Sequence, residues 1–237
     1  MGKRELLRDL SAGPGGFVKR AVVLLSGGLD SAVTMYMARR EGYECHALTF
    51  DYWQRHRREL ISAEKIARAC GAHWKQVSLK LPWKGSSLID KRARLPLSRT
   101  AARIRKSGIP STYVPARNTI FLSIAASYAE AIGASAIFIG AHTEDSSGYP
   151  DCRRGYLKAF DKALQLGTKR GLERRLRLEF PLVGKNKSGI IRSAVSLGVP
   201  LRYTWSCYAG KNRPCGKCDS CVLRAKGFKK AGIKDPI

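Results

Sequence analysis

The chain has 237 residues, 44% of them hydrophobic, which suits one compact domain with a small appendage. Its 44 lysines and arginines against 18 acidic residues give a formal net charge of +26 and a pI of about 10.3. The sequence has no apolar run near the roughly 20 residues that span a bilayer and no signal-peptide core within residues 1–20, so we expect a cytoplasmic protein without a membrane partner.

The most distinctive stretch is Leu-Leu-Ser-Gly-Gly-Leu-Asp-Ser at residues 24–31. Apolar residues 22–25 predict a buried parallel strand, and residues 31–40 predict the helix that follows. Glycines let backbone amides approach an anion, serines add hydroxyl donors, and a helix N-terminus favours negative charge. A carboxylate belongs among phosphates only with Mg²⁺ between them. We therefore predict a phosphate-binding loop made of Leu25, Ser26, Gly27, Gly28, Leu29, Asp30 and Ser31.

Strands and helices alternate along the rest of the sequence. Further strands are predicted at 45–50, 77–79, 136–140 and 176–180, and helices at 59–70, 118–132, 160–166 and 187–197. Residues 82–110 predict a long loop, typical of a lid or binding insertion. This order predicts an α/β fold, a doubly wound, mostly parallel, Rossmann-like sheet with helices on both faces. Ligands of such sheets bind outside the carboxyl ends of the strands.

Four cysteines near the C-terminus, Cys207, Cys215, Cys218 and Cys221, have the spacing of a metal site. Four thiolates suit a closed tetrahedral Zn²⁺ site with a structural role, and an iron–sulfur cluster fits the same spacing. We therefore predict a loose basic arm at 1–18, an α/β domain with the phosphate-binding loop at 19–200 and a zinc-binding segment at 201–237.

Basic residues concentrate in two runs, at 91–106 and 169–177. Neither run carries the interleaved aromatic residues that stack bases of single strands. The positive field attracts nucleotides, small anionic substrates and nucleic acid alike. The charge therefore leaves a solvated face and a weak nucleic-acid association both open.

Several motifs follow one another in a fixed order. Ser-Gly-Gly-Leu-Asp-Ser at 26–31 resembles the pyrophosphate loop of the N-type ATP pyrophosphatases. After it come Phe-Asp-Tyr at 50–52, Gln-Arg-His at 54–56, Val-Pro at 114–115, Arg-Asn at 117–118, Gly-Tyr-Pro-Asp-Cys-Arg at 148–153 and the cysteines. With these motifs the chain resembles the 7-cyano-7-deazaguanine synthase (QueC) family from about residue 19 to 228.

The resemblance implies an adenine nucleotide alpha hydrolase-like fold and a ligase of queuosine and archaeosine precursor biosynthesis. Such an enzyme is a homodimer that uses ATP, Mg²⁺ and Zn²⁺ to turn 7-carboxy-7-deazaguanine and ammonia into the nitrile through an acyl-adenylate and an amide. The resemblance implies catalytic roles for Asp30, Lys187 and Asp145, and it implies that Lys187 also binds phosphate. It also implies that the substrate is bound by eight residues: Gln54, Arg55, His56, Arg117, Asn118, Tyr149, Asp151 and Arg153. Among them, Asp151 would accept hydrogen bonds from the guanine-like edge of the substrate.

Two features depart from the family pattern. Trp53 stands where a glycine is common, and the basic run at 91–106 replaces a segment that is usually acidic or neutral. Three other functions therefore stay open. The activated carboxylate is transferred to another amine, the chain is a thiolating RNA-modifying enzyme of the same superfamily, or it is a basic binding module without catalysis.

Overall fold

A computed structural model describes residues 18–55, 57–142, 148–209 and 212–237. Its strands are β1 (Arg20–Leu24), β2 (Glu44–Asp51), β3 (His73–Ser78), β4 (Ala136–Phe138) and β5 (Arg177–Glu179). They form one sheet in the order β3-β2-β1-β4-β5, and every neighbouring pair is parallel. The chain leaves β1 toward β3 and later returns to the other side of β1, so strand order switches between β1 and β4. A ligand crevice is expected at that point, outside the carboxyl ends of the two strands.

The described helices are α1 (Leu29–Arg40), α2 (Arg58–Cys70), α3 (Ala101–Lys106), α4 (Arg117–Ala131), α5 (Arg154–Gly167), α6 (Lys169–Leu172), α7 (Lys187–Ser196) and α8 (Asp219–Ala231). Side chains of α1, α2, α7 and α8 pack on one face of the sheet. Those of α4 and α5 pack on the other. The predicted doubly wound fold with both faces covered is confirmed.

Side chains of β1 alternate between the two hydrophobic cores, one on each face of the sheet. Val23 packs with the first group of helices and Val22 with the second, and both are fully buried. Because successive side chains of a strand point to opposite faces, the continuous apolar run is what a strand buried on both sides requires. None of the helices in the described ranges combines the length and apolar character needed to cross a bilayer.

The structure corrects several predicted elements. β3 starts at His73, four residues earlier than predicted, because this edge strand is largely polar. α5 begins at Arg154 instead of residue 160, and α3 forms within the predicted long loop. α8 was not predicted at all. Residues 1–17 lie outside the described ranges, and the boundary at residue 200 stays a prediction.

Candidate active site and metal centre

The predicted phosphate-binding loop lies between β1 and α1, as expected. Gly27 has φ +83°, and a Cβ built on it would lie 2.2 Å from the backbone oxygen of Glu59 on α2. The hydroxyl of Ser31 accepts from the amide of Ser26 and donates to the carbonyl of Gly28, at 3.2 and 3.1 Å. Only glycine fits position 27, because its backbone is left-handed and touches α2.

Asp30 and Lys187 form an ion pair at the end of this loop. Lys187 Nζ donates to Asp30 Oδ1 at 2.9 Å and Oδ2 at 2.8 Å, and it lies 2.9 Å from His142 Nε2. Burial raises the pKa of Asp30, but the charges of Lys187 and then His142 outweigh it and lower the pKa well below its usual value. Asp30 is therefore ionised at neutral pH. His142 follows β4 and was not singled out in the sequence, although its loop was expected to hold polar chemistry.

A cavity of about 260 Å³ opens at the carboxyl ends of β1, β2 and β4, where the topology places a ligand. Most predicted site residues line it: Leu25, Ser26, Gly28, Leu29, Asp30, Ser31, Gln54, Arg55, Arg117, Asn118, Tyr149 and Lys187. Gly27, Asp151 and Arg153 are not among the described lining residues, and Arg153 is exposed. The predicted residues His56 and Asp145 lie outside the described ranges.

Gln54 and Arg55 hold the loop after β2 in place. Gln54 Oε1 accepts from the amide of Tyr52 at 2.9 Å, and Nε2 donates to the carbonyl of Phe50 at 3.4 Å. The Arg55 guanidinium donates to the carbonyls of residues 87, 90 and 93. Both side chains line the cavity while their hydrogen bonds fasten the protein backbone.

Trp53 between them has φ +63° and is 62% exposed. Such a left-handed backbone favours glycine, which is the residue common at this position in the family that the sequence resembles.

Arg117 and Asn118 begin α4 at the rim of the cavity. Arg117 Nη1 donates to the Tyr52 hydroxyl at 3.1 Å. The backbone amide of Asn118 donates to Asp151 Oδ2 at 2.9 Å, so this carboxylate satisfies a free amide of the helix N-terminus. Asp151 is 5% exposed, and its other oxygen, Oδ1, has no hydrogen-bond partner among the described residues. Within the described ranges one oxygen of Asp151 is therefore unpaired, although Asp151 itself is not among the residues that line the cavity.

One wall of the cavity is apolar and aromatic. The rings of Phe50 on β2 and Phe121 on α4 stack with centroids 4.0 Å apart and planes 3° apart. Tyr52 tilts against Phe121 at 5.4 Å, and Leu88 adds an aliphatic surface. A planar ring system can lie on this wall while its charged groups reach the phosphate-binding loop.

Glu59, in the first turn of α2, also lines the cavity. Burial raises its pKa to about 7, although the nearby charge of Arg117 opposes the rise. Its carboxyl group can therefore gain or lose a proton near neutral pH. No sequence pattern singles out Glu59, because an acidic residue in a first helical turn is ordinary.

The four predicted metal ligands are brought together. The Sγ atoms of Cys207, Cys215, Cys218 and Cys221 all lie within 4.8 Å of one another. Backbone amides donate to two of the sulfurs: those of residues 209 and 215 to Cys207, and those of 217 and 218 to Cys215. Such donors stabilise thiolates, the form that binds metal. The donor set fits a single tetrahedral ion.

The cysteine segment touches the phosphate-binding loop directly. The amide of Trp205 donates to the carbonyl of Gly27 at 2.9 Å, and the indole Nε1 donates to the carbonyl of Cys207 at 3.0 Å. The guanidinium of Arg58 lies 4.3 Å from the centroid of the Trp205 ring. The metal centre thus supports one wall of the cavity.

Two arginines in or beside the cysteine segment form ion pairs within the protein. Arg99, from the first basic run, pairs with Asp219 at the start of α8. Arg224 is 5% exposed and forms a bidentate pair with Asp235 at 2.7 and 2.9 Å. Both guanidinium groups are therefore paired with carboxylates of the protein itself.

Comparison with known proteins places the whole fold in one family. The family model described as queuosine biosynthesis protein QueC matches residues 20–232. A relative from Thermoplasma acidophilum named 7-cyano-7-deazaguanine synthase is 52% identical, with 92% of this chain and 91% of the relative covered. A relative of the same name from Trichodesmium erythraeum is 49% identical, with 92% and 99% covered. A solved NMN synthetase from Francisella tularensis superposes with a TM-score of 0.49 at 15% identity, covering 92% of this chain and 79% of that one, a likeness too distant to bear on function.

Proposed function

The chain belongs to the QueC family of queuosine biosynthesis proteins, and on that basis we propose that it is a ligase that makes 7-cyano-7-deazaguanine from 7-carboxy-7-deazaguanine and ammonia at the expense of ATP. The observation that carries the proposal is the cavity at the switch point of the sheet. It combines a phosphate-binding loop, a Lys187–Asp30 pair and an aromatic wall. These features suit a nucleotide and a planar base bound side by side.

Two activations account for the nitrile. A carboxylate oxygen of the substrate attacks the α-phosphorus of ATP, and pyrophosphate leaves. Ammonia then attacks the acyl carbon, AMP leaves, and a proton is lost to give the amide. The amide oxygen then attacks the α-phosphorus of a second ATP, and a second pyrophosphate leaves. AMP departs with that oxygen as two N–H protons are lost. Because both rounds activate an oxygen on the same substituent, one site that positions it against the α-phosphate serves both.

The residues around the cavity divide into phosphate and base sides. The loop at 26–31 presents backbone amides and hydroxyls to pyrophosphate, and Lys187 neutralises charge that develops on the phosphates. Asp30 supplies the oxygen ligands that Mg²⁺ prefers, and that ion would neutralise phosphate charge when bound. On the base side, Arg117 supplies positive charge for the substrate carboxylate, and Asp151 Oδ1 accepts from the ring edge.

We assign Glu59 as the group that takes the proton released when ammonia attacks. It lines the same cavity as the phosphate-binding loop, and its pKa of about 7 suits proton transfer at neutral pH. Asp145 and His56 keep the roles that the family resemblance implies for them.

Zn²⁺ is the proposed ion of the cysteine cluster. Zn–S bonds of about 2.3 Å place tetrahedral sulfurs about 3.8 Å apart, a spacing compatible with the four sulfurs here. A bridged iron–sulfur cluster separates its thiolates further, because irons and sulfides lie between them. Since the ligand set is closed, the ion has a structural role.

The same proposal includes a cytoplasmic location, where thiols stay reduced, and the homodimer that the family resemblance implies. A thiolating activity is disfavoured, because the three cysteines outside the cluster, Cys45, Cys70 and Cys152, are all buried, and burial raises the pKa of the Cys45 and Cys70 thiols. Transfer of the activated carboxylate to another amine remains the main competitor. The exposed basic run at 91–106, which departs from the family pattern, is the reason for keeping this alternative.

An end-point assay tests the proposal. The chain is incubated with 7-carboxy-7-deazaguanine, ammonium, Mg²⁺ and ATP, and bases and nucleotides are separated by mass. We expect the nitrile together with AMP and pyrophosphate. In Lys187→Met we expect kcat about 10²–10³-fold lower, the effect of removing one donor to developing charge, whereas Lys162→Met on exposed α5 should match the parent. AMP without nitrile would indicate another acceptor, and no AMP would refute the adenylation site.

A further inference from the structure

Three side chains with metal-binding chemistry converge at the edge of the sheet opposite the cavity. Glu44 and His46 occupy the first and third positions of β2, so they point to the same face. His73 opens β3 and pairs in register with His46. All three therefore lie at the amino ends of their strands, remote from the phosphate-binding loop.

The distances match the edges of a coordination polyhedron. Glu44 Oε1 lies 3.3 Å from His46 Nε2 and 3.1 Å from His73 Nε2. The three atoms all lie within 4.8 Å of one another. Zn–N and Zn–O bonds of about 2.0–2.1 Å place neighbouring ligands of a tetrahedron about 3.3–3.4 Å apart. One ion can thus bind all three atoms with small adjustments.

The Tyr128 hydroxyl can select the His46 tautomer that leaves a lone pair on Nε2, directed at the cluster. His46 Nδ1 lies 3.3 Å from the Tyr128 hydroxyl, which can hold the proton on Nδ1. Nε2 is buried, and within the described ranges it has no hydrogen-bond partner, although the Glu44 carboxylate is near. A ring nitrogen fixed by a hydrogen bond on its other side is typical of metal-binding histidines.

The two imidazole rings stack with centroids 4.7 Å apart and planes 26° apart. Both rings are therefore held together at the amino ends of β2 and β3.

We propose that Glu44, His46 and His73 form a second metal site, which binds one divalent transition ion such as Zn²⁺ and joins the amino ends of β2 and β3. Histidine nitrogens and one carboxylate suit Zn²⁺ and its neighbours better than Mg²⁺. His73 is 66% exposed, so water has access to the remaining position.

One contact opposes the ion. Arg20 Nε lies 3.3 Å from Glu44 Oε2, so it competes for the carboxylate while orienting it. Because Arg20 uses the second oxygen, Oε1 stays directed at the imidazoles. We therefore expect this site to bind Zn²⁺ more weakly than the four thiolates do.

Calorimetric titration of the full chain with Zn²⁺ tests the site. The starting protein carries one ion per chain, bound by the cysteine cluster, and loosely bound metal is washed away first. We expect a second equivalent to bind. His73→Ala and Glu44→Gln should weaken that second event at least about tenfold, the loss caused even by removing an outer-shell partner. Glu41→Gln, an exposed glutamate just before β2, is the matched control and should bind as the parent does.

A thermal scan gives an independent readout. Added Zn²⁺ should raise the Tm of the parent and of Glu41→Gln, but not of His73→Ala. The proposal is overturned if the parent binds no second ion. It is equally overturned if the second ion remains as tight in both variants, since the ion then lies elsewhere. The metal content of the starting protein reports the cysteine cluster, so a failure of that site is distinguishable from a failure of the second one.

Discussion

Gly227 on α8 faces the stem of Lys187 on α7. A Cβ at this position would lie 2.4 Å from Lys187 Cγ and 3.0 Å from Ile191 Cδ1. Alanine in place of a helical glycine ordinarily stabilises by about 0.5–1 kcal/mol. Here the added methyl group must displace the lysine that meets Asp30, so the absence of a side chain on α8 sets the position of a charge in the active site.

We therefore expect Gly227→Ala to lower the Tm and to reduce kcat at least about tenfold, because misplacing a reacting group by 1 Å can cost about 10²-fold. Differential scanning fluorimetry and the nitrile assay measure both effects. Gly155→Ala on α5, where nothing lies within 4 Å of the new Cβ, serves as the control and should keep its activity. Equal activity of the two variants would show that the position of Lys187 is unimportant.

The role proposed for Glu59 predicts a pH dependence of the reaction. Because burial raises its pKa to about 7, the carboxyl is largely protonated below that pH and cannot accept a proton. We expect kcat/KM to rise with pH through about 7 in the parent. In Glu59→Gln this acidic limb should disappear, with the plateau about 10²–10⁴-fold lower. A profile that keeps its acidic limb in the variant would assign the limb to another group.

At the scale of elements, the cysteine segment and the phosphate-binding loop form one unit through Trp205 and Gly27. Stripping the metal with a strong chelator should therefore change Trp205 fluorescence and weaken ATP binding. Serine in place of Cys218 should do the same. Cys70→Ala on α2 is the control, because it changes a thiol outside the cluster. Unchanged ATP affinity in the metal-free chain would show that the loop keeps its shape unaided.

How much of the fold could be predicted from the sequence depends on the element. β1, α1 and α2 were predicted within about two residues, because apolar runs and C-terminal glycines mark them clearly. β3 was misplaced, since an edge strand lacks an apolar run. α8 was not predicted, because the helix is only weakly amphipathic and its residues were interpreted from their cysteine spacing alone.

The site residues that could be predicted are those that lie together in one sequence motif. The phosphate-binding loop is one contiguous motif, so its residues were found together. His142, Glu59 and Gly227 come from three separate elements, and only their three-dimensional packing gives them a role. Asp151 was expected to face a base with two free oxygens, and no sequence pattern could reveal that the α4 amide occupies one of them.

At the scale of the whole molecule, the net charge of +26 comes from basic residues in two kinds of environment: some are exposed to solvent and others are paired with carboxylates. Six residues of the first basic run, Lys91, Arg92, Arg94, Arg103, Arg105 and Lys106, are exposed, while Arg99 is committed to Asp219. An exposed positive patch of this kind attracts the phosphates of nucleic acid without reading sequence.

We expect tRNA to bind the chain weakly and with a steep salt dependence. If six phosphates are contacted, affinity should fall by about 10³-fold between 50 and 200 mM salt. Replacing the six exposed residues with glutamine should flatten this slope, whereas the same change at Arg174 and Arg175 should alter it less. Filter binding at two salt concentrations measures the slopes, and a flat dependence in the parent would argue for a merely solvated face.

The hydrogen bond from Trp205 to Gly27 joins a residue near one end of the chain to a loop near the other. During translation, the loop leaves the ribosome long before the segment that supports it. The nascent chain therefore spends most of its synthesis with β1, α1 and β2 available but one wall of the nucleotide cavity missing. Tight ATP binding becomes a property of the finished chain, acquired when the cysteines emerge and take up their metal ion.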